Sequence, residues 1–191
     1  SLFDSKEVHE KEVLIDTTVQ EKNITFPTDS KLHKKIIEGC RKISEKEGIT
    51  LRQSYKRIVK QLMIEQRFRE HPKKRKRANA AARKLKTIAG RLVRDVERGL
   101  DNIDRLSCYD EQLWLYYRVL GQKRDDNNKI YSFHAPEVKC ISKGKEHKRY
   151  EFGNKSSFAI TKKSGIVVGA MAFEDNIYDG HTLEPQLAQV E

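Results

Sequence analysis

Residues 12–19 read EVLIDTTV. Val13, Leu14 and Ile15 run together, and Thr17 and Thr18 follow Asp16, so the stretch has the β-branched, apolar character of a buried strand. A polar connector, QEKNITFPTDS, comes next. The pattern then turns helical for about 95 residues before strand-like runs return. A strand, a helical block and further strands predict an α/β domain that carries an insertion after its first strand.

Within the block, Leu32, Ile36, Cys40 and Ile43 follow PTDS at helical spacing. Asp29 or Ser30 can cap this helix, and Gly48 suits the residue just past its end. A second helix is predicted over 51–70, with Leu51, Tyr55, Ile58, Val59 and Leu62 on one face and His71-Pro72 breaking it. A third is predicted over 75–100. Its apolar positions Ala78, Ala82, Leu85, Ala89, Leu92 and Val96 step by four and three, a heptad-like seam with Lys and Arg off it. These helices read as a long antiparallel hairpin with basic outer faces.

A shorter helix fits 108–120, capped by Ser107 with Asp110 three residues on, and stopped by Gly121. Trp114 and Leu115 read there as packing residues. KRDDNN (123–128) is a turn-rich connector. Strands are predicted at 129–133, 138–142, 150–161 and 166–173, the last continuously apolar and therefore buried. In the third of these, Phe152, Ser156, Phe158 and Ile160 share one side. A final helix is predicted from Thr182.

The chain has 191 residues, 39 Lys and Arg against 28 Asp and Glu, and a net charge of +11. That charge is unevenly placed. Residues 30–100 hold 23 basic and 7 acidic residues, a balance of +16, and the remainder holds 16 against 21, or −5. A segment repelling itself this strongly points to a polyanionic partner. Its densest run is Lys73, Lys74, Arg75, Lys76 and Arg77, which a solvated helix face or loop would also explain.

No apolar run approaches membrane-spanning length, and the opening SLFDSKEVHEKEV has no secretory pattern. Cys40, Cys108 and Cys140 are odd in number and widely spaced, which favours a reducing cytoplasm over a disulfide framework. His134, Cys140 and His147 lack zinc-ligand spacing. Phosphate-loop and nucleophile-elbow motifs are absent from the sequence.

Three segments can carry chemistry. Asp16, at the end of an apolar strand, suits a metal ligand, though a carboxylate capping a strand end is the commoner explanation. In KGKEHKRYEFGNK (143–155), Lys143, Lys145, Lys148 and Arg149 precede Tyr150 and Phe152. That interleaving suits a phosphate backbone with a stacking partner, or a basic hairpin turn. Glu151 within it can approach a metal or pair locally. YDGHTLEPQL (178–187) holds Asp179 and His181, but a turn followed by a capped helix accounts for it.

Together, LIDTTVQEKNITFPTDSKL, LRQSYKR, KRANAAARKLKTIAGRLVRDVER, KIYSFHAPEVKCISKGKEHKRYEFGNKSS and NIYDGHTLEPQL resemble bacterial insertion-sequence transposases. The resemblance is to the DDE class, in the large group numbered family five, and it covers the chain from Val13 onward. It implies a ribonuclease H-like core with a mixed sheet and three acids that hold two Mg²⁺ ions through hard oxygen ligands. Asp16 matches the first acid. The second belongs to an Asp-x-Gly-Tyr motif after a further strand and the third is a Glu on a later helix, and neither motif occurs before Glu191. Asp179 does not match the second acid.

The resemblance therefore implies a partial catalytic domain over 11–191 with a basic helical insertion over 30–121. Residues 1–10 read as the tail of a preceding region, and both ends as cut. DNA is the implied partner, as element ends and as target, gripped by Lys73 to Arg77 and by Lys143, Lys145, Lys148 and Arg149. The implied setting is the bacterial cytoplasm at the nucleoid, with no membrane and with a homo-oligomer for the full-length protein. Composition alone fits a different class, a non-catalytic basic nucleic-acid-binding protein. A host nuclease of the same fold, or an inactive remnant, are further readings.

Overall fold

The computed structural model describes residues 12–142 and 149–190. Strand β1 (Val13–Glu21) is followed by helices α1 (Asp29–Lys46), α2 (Lys56–Gln66), α3 (Arg75–Asp101) and α4 (Asp110–Gly121). Strands β2 (Lys139–Ser142), β3 (Tyr150–Thr161) and β4 (Val167–Phe173) come next, then helix α5 (Gly180–Val190). The chain divides into two compact units. One combines the stretch through Ile24 with that from Glu137 onward, and the other runs from Thr25 to Pro136.

The first unit is an open antiparallel sheet with α5 on one face. β1 pairs along β3 from Val13–Thr161 to Glu21–Gly153. β2 and β4 both pair with β3, also antiparallel, through residues 150–153 and 155–160 of that strand. Every pairing among the described residues is antiparallel, so the parallel pairing of the mixed sheet implied by the resemblance is not found among them. Among the described residues β1 pairs with β3 alone and so lies at an edge.

Side chains alternate between faces along a strand. Ile15, Thr17, Ser157, Ala159 and Gly169 share the face under α5, and a Cβ on Gly169 would come within 2.5 Å of the Gln186 carboxamide. A side chain at this position would have to displace the Gln186 carboxamide. β4 is more exposed than its apolar sequence predicts, with Val167 at 55%. It is paired on one edge only, and Val167, Ala170 and Ala172 are all exposed.

The second unit is helical, and α3 is its centre, packing against α1, α2 and α4. Leu85, Ala89, Leu92, Val93, Val96 and Leu100 of α3 are fully buried. They meet Leu32, Ile36, Ile37, Cys40 and Ile43 of α1, Val59 and Leu62 of α2, and Leu113, Tyr116 and Val119 of α4. Burying each large aliphatic side chain contributes about 1.5–3 kcal/mol.

Several boundaries differ from the sequence reading, each for a local reason. Thr28 caps α1, its Oγ1 accepting from the Lys31 N–H at 3.3 Å. Asp29 lies in the first turn, and Ser30 is buried and donates to Gln66 Oε1 at 3.1 Å. Helix α2 starts only after Tyr55, whose φ of 53° is left-handed, and it ends before the His71-Pro72 break. A short 3-10 turn over Leu106–Tyr109 replaces the Ser107 cap of α4. Gly48, at φ 67°, occupies the expected position just beyond α1.

Residues 129–133 are not a strand. Ile130 is buried in the helical core, and its backbone N–H and C=O bond to the Gln122 side chain at 3.1 and 3.4 Å instead of a ladder partner. Thr182 lies inside α5, its hydroxyl donating to the Asp179 carbonyl at 2.7 Å.

His33 of α1 is buried, and its Nδ1 has no hydrogen-bond partner. Burial lowers its pKa from 6.5 to about 4, against an opposing pull from Asp29. The folded state therefore resists a proton that the unfolded chain accepts. The linked stability is whole above pH 6.5 and is lost as pH falls toward 4, with a limit of about 3 kcal/mol. Urea midpoints at pH 7 and pH 4.5 should drop more for the wild type than for His33→Leu. Equal drops would contradict this assignment.

Candidate nucleic-acid interface and the Asp16 face

At 100° per residue, Lys76, Arg83, Arg91, Arg94 and Arg98 of α3 fall within about 80° of the helix circumference. All five are exposed, and the buried side chains of α3 occupy the opposite side. The stripe from Lys76 to Arg98 spans about 33 Å at 1.5 Å per residue. That is close to one turn of duplex DNA, about 34 Å. Asp95, paired with Arg98, and Glu97 are the only acids between its ends.

Lys73 to Arg77 lead into this stripe. Lys73 and Lys74 lie in the turn before α3, and Arg75, Lys76 and Arg77 form its first turn, which holds no acid. Three cations at the positive end of a helix dipole oppose its stability. Two of the five are engaged locally. Lys74 Nζ lies 3.9 Å from the Phe68 ring centroid, and Arg77 Nη2 donates to Glu65 Oε1 at 2.8 Å.

Of the second basic run, Lys143, Lys145 and Lys148 lie outside the described residues. Arg149 is exposed, its guanidinium 5.7 Å from the Tyr150 ring centroid. Glu151 is buried on β3, across from Ile141 of β2.

Asp16 lies within β1, directly across from Phe158 of β3. It is exposed, and its Oδ1 accepts from the Thr17 N–H at 2.8 Å. Thr17 points the other way, toward α5, where its hydroxyl donates to Asp179 Oδ1 at 2.8 Å. Asp179 also pairs with Lys155, whose ammonium donates to the Ile177 carbonyl. Strand alternation thus puts Asp16 and Asp179 on opposite faces of the sheet. The Asp179 cluster anchors the start of α5. His181 belongs to the same turn, edge-on to Tyr178 with ring centroids 5.8 Å apart.

Among the described residues, no group of three or more His, Cys, Asp or Glu is close enough together to hold a metal ion. One carboxylate offers too few hard oxygen ligands for a pair of divalent ions. These residues alone therefore do not fit the two-ion group that the resemblance implies. Among the same residues, no helix is long and apolar enough to cross a membrane.

Trp114 overturns its sequence reading as a packing residue, being 59% exposed. Helix α4 buries Leu113, Tyr116 and Val119. Trp114, Tyr117, Arg118 and Gly121, at i, i+3, i+4 and i+7, therefore line the outer side. They border a hollow of about 490 Å³ closed by Gln122, Asp126 and Asn128. The helical period of the buried set was the available signal, since it leaves Trp114 outside.

No protein-family model matches the chain, and no solved structure matches it. Among curated proteins, part of the chain is similar to the uncharacterized protein ORF8 in the nfe locus of Rhizobium meliloti, with 44% identity over 59 residues. The match covers 31% of this chain and 28% of that protein.

Asp179→Ala should remove the Thr17 and Lys155 contacts and lower the melting stability of the sheet unit by about 1–2 kcal/mol. Asp16→Ala, at an exposed site, should change it by no more than about 0.5 kcal/mol. A thermal melt in which both variants behave alike would refute the division of roles between the two faces.

Proposed function

We propose that this chain handles DNA as part of an insertion-sequence transposase of the DDE class, with a ribonuclease H-like core. The helical unit grips duplex DNA, and Asp16 is the first of the acids that would hold the catalytic ions. The observation that carries the reading is α3. One side is buried in the core, and the other presents cations over about one turn of duplex.

The ordered motifs quoted above support the family assignment. The sheet supports the core assignment. Its first strand carries Asp16 on the face away from α5. Asp16 would supply one of the hard oxygen ligands that metal-dependent phosphoryl chemistry needs. Asp16 alone offers too few hard oxygen ligands for two divalent ions, so the chain on its own is proposed to bind DNA and not to cut it. A helical core with a cationic side, beside one candidate ligand acid among the described residues, also favours the second reading, a non-catalytic basic nucleic-acid binder.

Two measurements separate these readings from unrelated ones. Five phosphates neutralised by the stripe give a slope of about −4.5 in log K against log salt. Arg83→Gln combined with Arg94→Gln should reduce the slope to about −2.7. A salt-independent affinity would remove the DNA-binding proposal. Incubation with supercoiled plasmid and Mg²⁺ should leave the DNA intact. Nicking that disappears in Asp16→Ala would show instead that the chain holds a working metal site.

A further inference from the structure

The outer side of α4 is unusual in chemistry as well as in exposure. Trp114 is the only tryptophan in the chain, and it lines a surface cleft instead of packing in the core. A volume of about 490 Å³ falls within the range of small-molecule sites, roughly 300–1,000 Å³.

The cleft wall is held in place by specific bonds. Gln122 fastens the backbone of Ile130 through both ends of its carboxamide. Arg118 Nη2 donates to the Asn128 carbonyl at 3.4 Å, which draws the 123–128 connector back over the helix. Asp126 accepts from the Lys123 N–H at 2.7 Å and fixes the turn. The frame is therefore set before any ligand arrives, which lowers the cost of binding.

The lining says what kind of ligand fits. Indole and phenol rings offer flat apolar surface. The Arg118 guanidinium lies 5.5 Å from the indole centroid, so a cation–π pair already marks the ring as electron-rich. Arg118 donates, Asp126 accepts, and the Asn128 carboxamide does both. Arg118 and Asp126 balance in charge, so a bare phosphate or an acidic peptide gains little here. A neutral planar heterocycle with donors and acceptors on its edge gains from both the ring and the rim.

The position of the cleft supplies the source of that heterocycle. Tyr117 donates its hydroxyl hydrogen bond to Glu97 of α3, which is flanked in sequence by Arg94 and Arg98 of the cationic stripe. The aromatic side of α4 thus adjoins the C-terminal half of the surface assigned to DNA.

We propose that the Trp114 cleft takes one unpaired nucleobase of the bound DNA, stacked on the indole and bonded at its edge by Arg118, Asp126 and Asn128. This rests on the DNA-binding reading of α3 and adds a preference for DNA with a disrupted base pair. A base within an intact duplex is stacked on its neighbours and cannot enter. An unpaired base can, and stacking on an aromatic side chain favours it by about 5- to 150-fold in affinity.

The single tryptophan makes the test direct. The full chain is titrated with a fully paired duplex, the same duplex carrying one unpaired nucleotide, and the same duplex with an abasic site at that position. Emission of Trp114 should be quenched by the unpaired base and not by the other two. Binding of the paired duplex should be unchanged in Trp114→Ala, while the preference for the unpaired base disappears. Trp114→Phe should retain part of it.

Equal affinity for all three duplexes without selective quenching would overturn the cleft while leaving the DNA surface intact. Absence of binding to any duplex would overturn both. Quenching that follows protein concentration without DNA would assign the cleft to a second copy of the chain and also overturn the proposal.

Discussion

The burial of one side of α3 is the interaction on which the helical unit depends. Leu85, Leu92, Val93, Val96 and Leu100 are fully buried there, and α1, α2 and α4 each pack against that side. At about 1.5–3 kcal/mol per large aliphatic side chain, this seam outweighs any surface ion pair, which contributes about 0–1 kcal/mol. The seam is what allows the other side to carry so many cations. Arg83, Arg91 and Arg94 contribute nothing to the core, and their mutual repulsion is offset by packing on the far side of the same helix. Structure and proposed function are thus divided by angle around one axis.

The sheet divides its roles in the same way, by strand alternation. Thr17 reaches Asp179 and helps hold α5, while Asp16, one residue earlier, faces away. Adjacent residues thus serve two different ends. The face with Asp16 also presents Leu14, Phe158 and Ala170, so a carboxylate there stands on an apolar surface. An acid in that setting is in reach of a ligand, whereas Asp179 is already committed to Thr17 and Lys155.

Much of this was legible in the residues. The four-and-three steps of Ala78, Ala82, Leu85, Ala89, Leu92 and Val96 located α3, because a long buried seam leaves a strong periodic trace. The strand at EVLIDTTV was readable from its β-branched, apolar run, but β1 is not the buried strand that run predicts, with Leu14 57% exposed and only Val19 buried. The shared side of Phe152, Ser156, Phe158 and Ile160 was readable at period two. What failed was local. KIYSF has strand composition, yet Ile130 drops into the helical core because Gln122 satisfies its backbone. IVVGAMAF reads as buried, yet β4 pairs on one edge only. The exposure of Trp114 went unread because a large aromatic in an amphipathic helix is ordinarily counted with the core. The pairing of Thr17 with Asp179 was beyond reach, since it joins residues 162 positions apart.

The central claim is that the outward side of α3 is the DNA-contacting surface. Amine-selective labelling of lysines, with and without a duplex, reads this by position. Lys76 and Lys84 of α3 should lose reactivity when DNA binds, while Lys162, at the turn between β3 and β4, should keep it. Protection of Lys162 with α3 left reactive would place the DNA on the sheet unit and contradict the account.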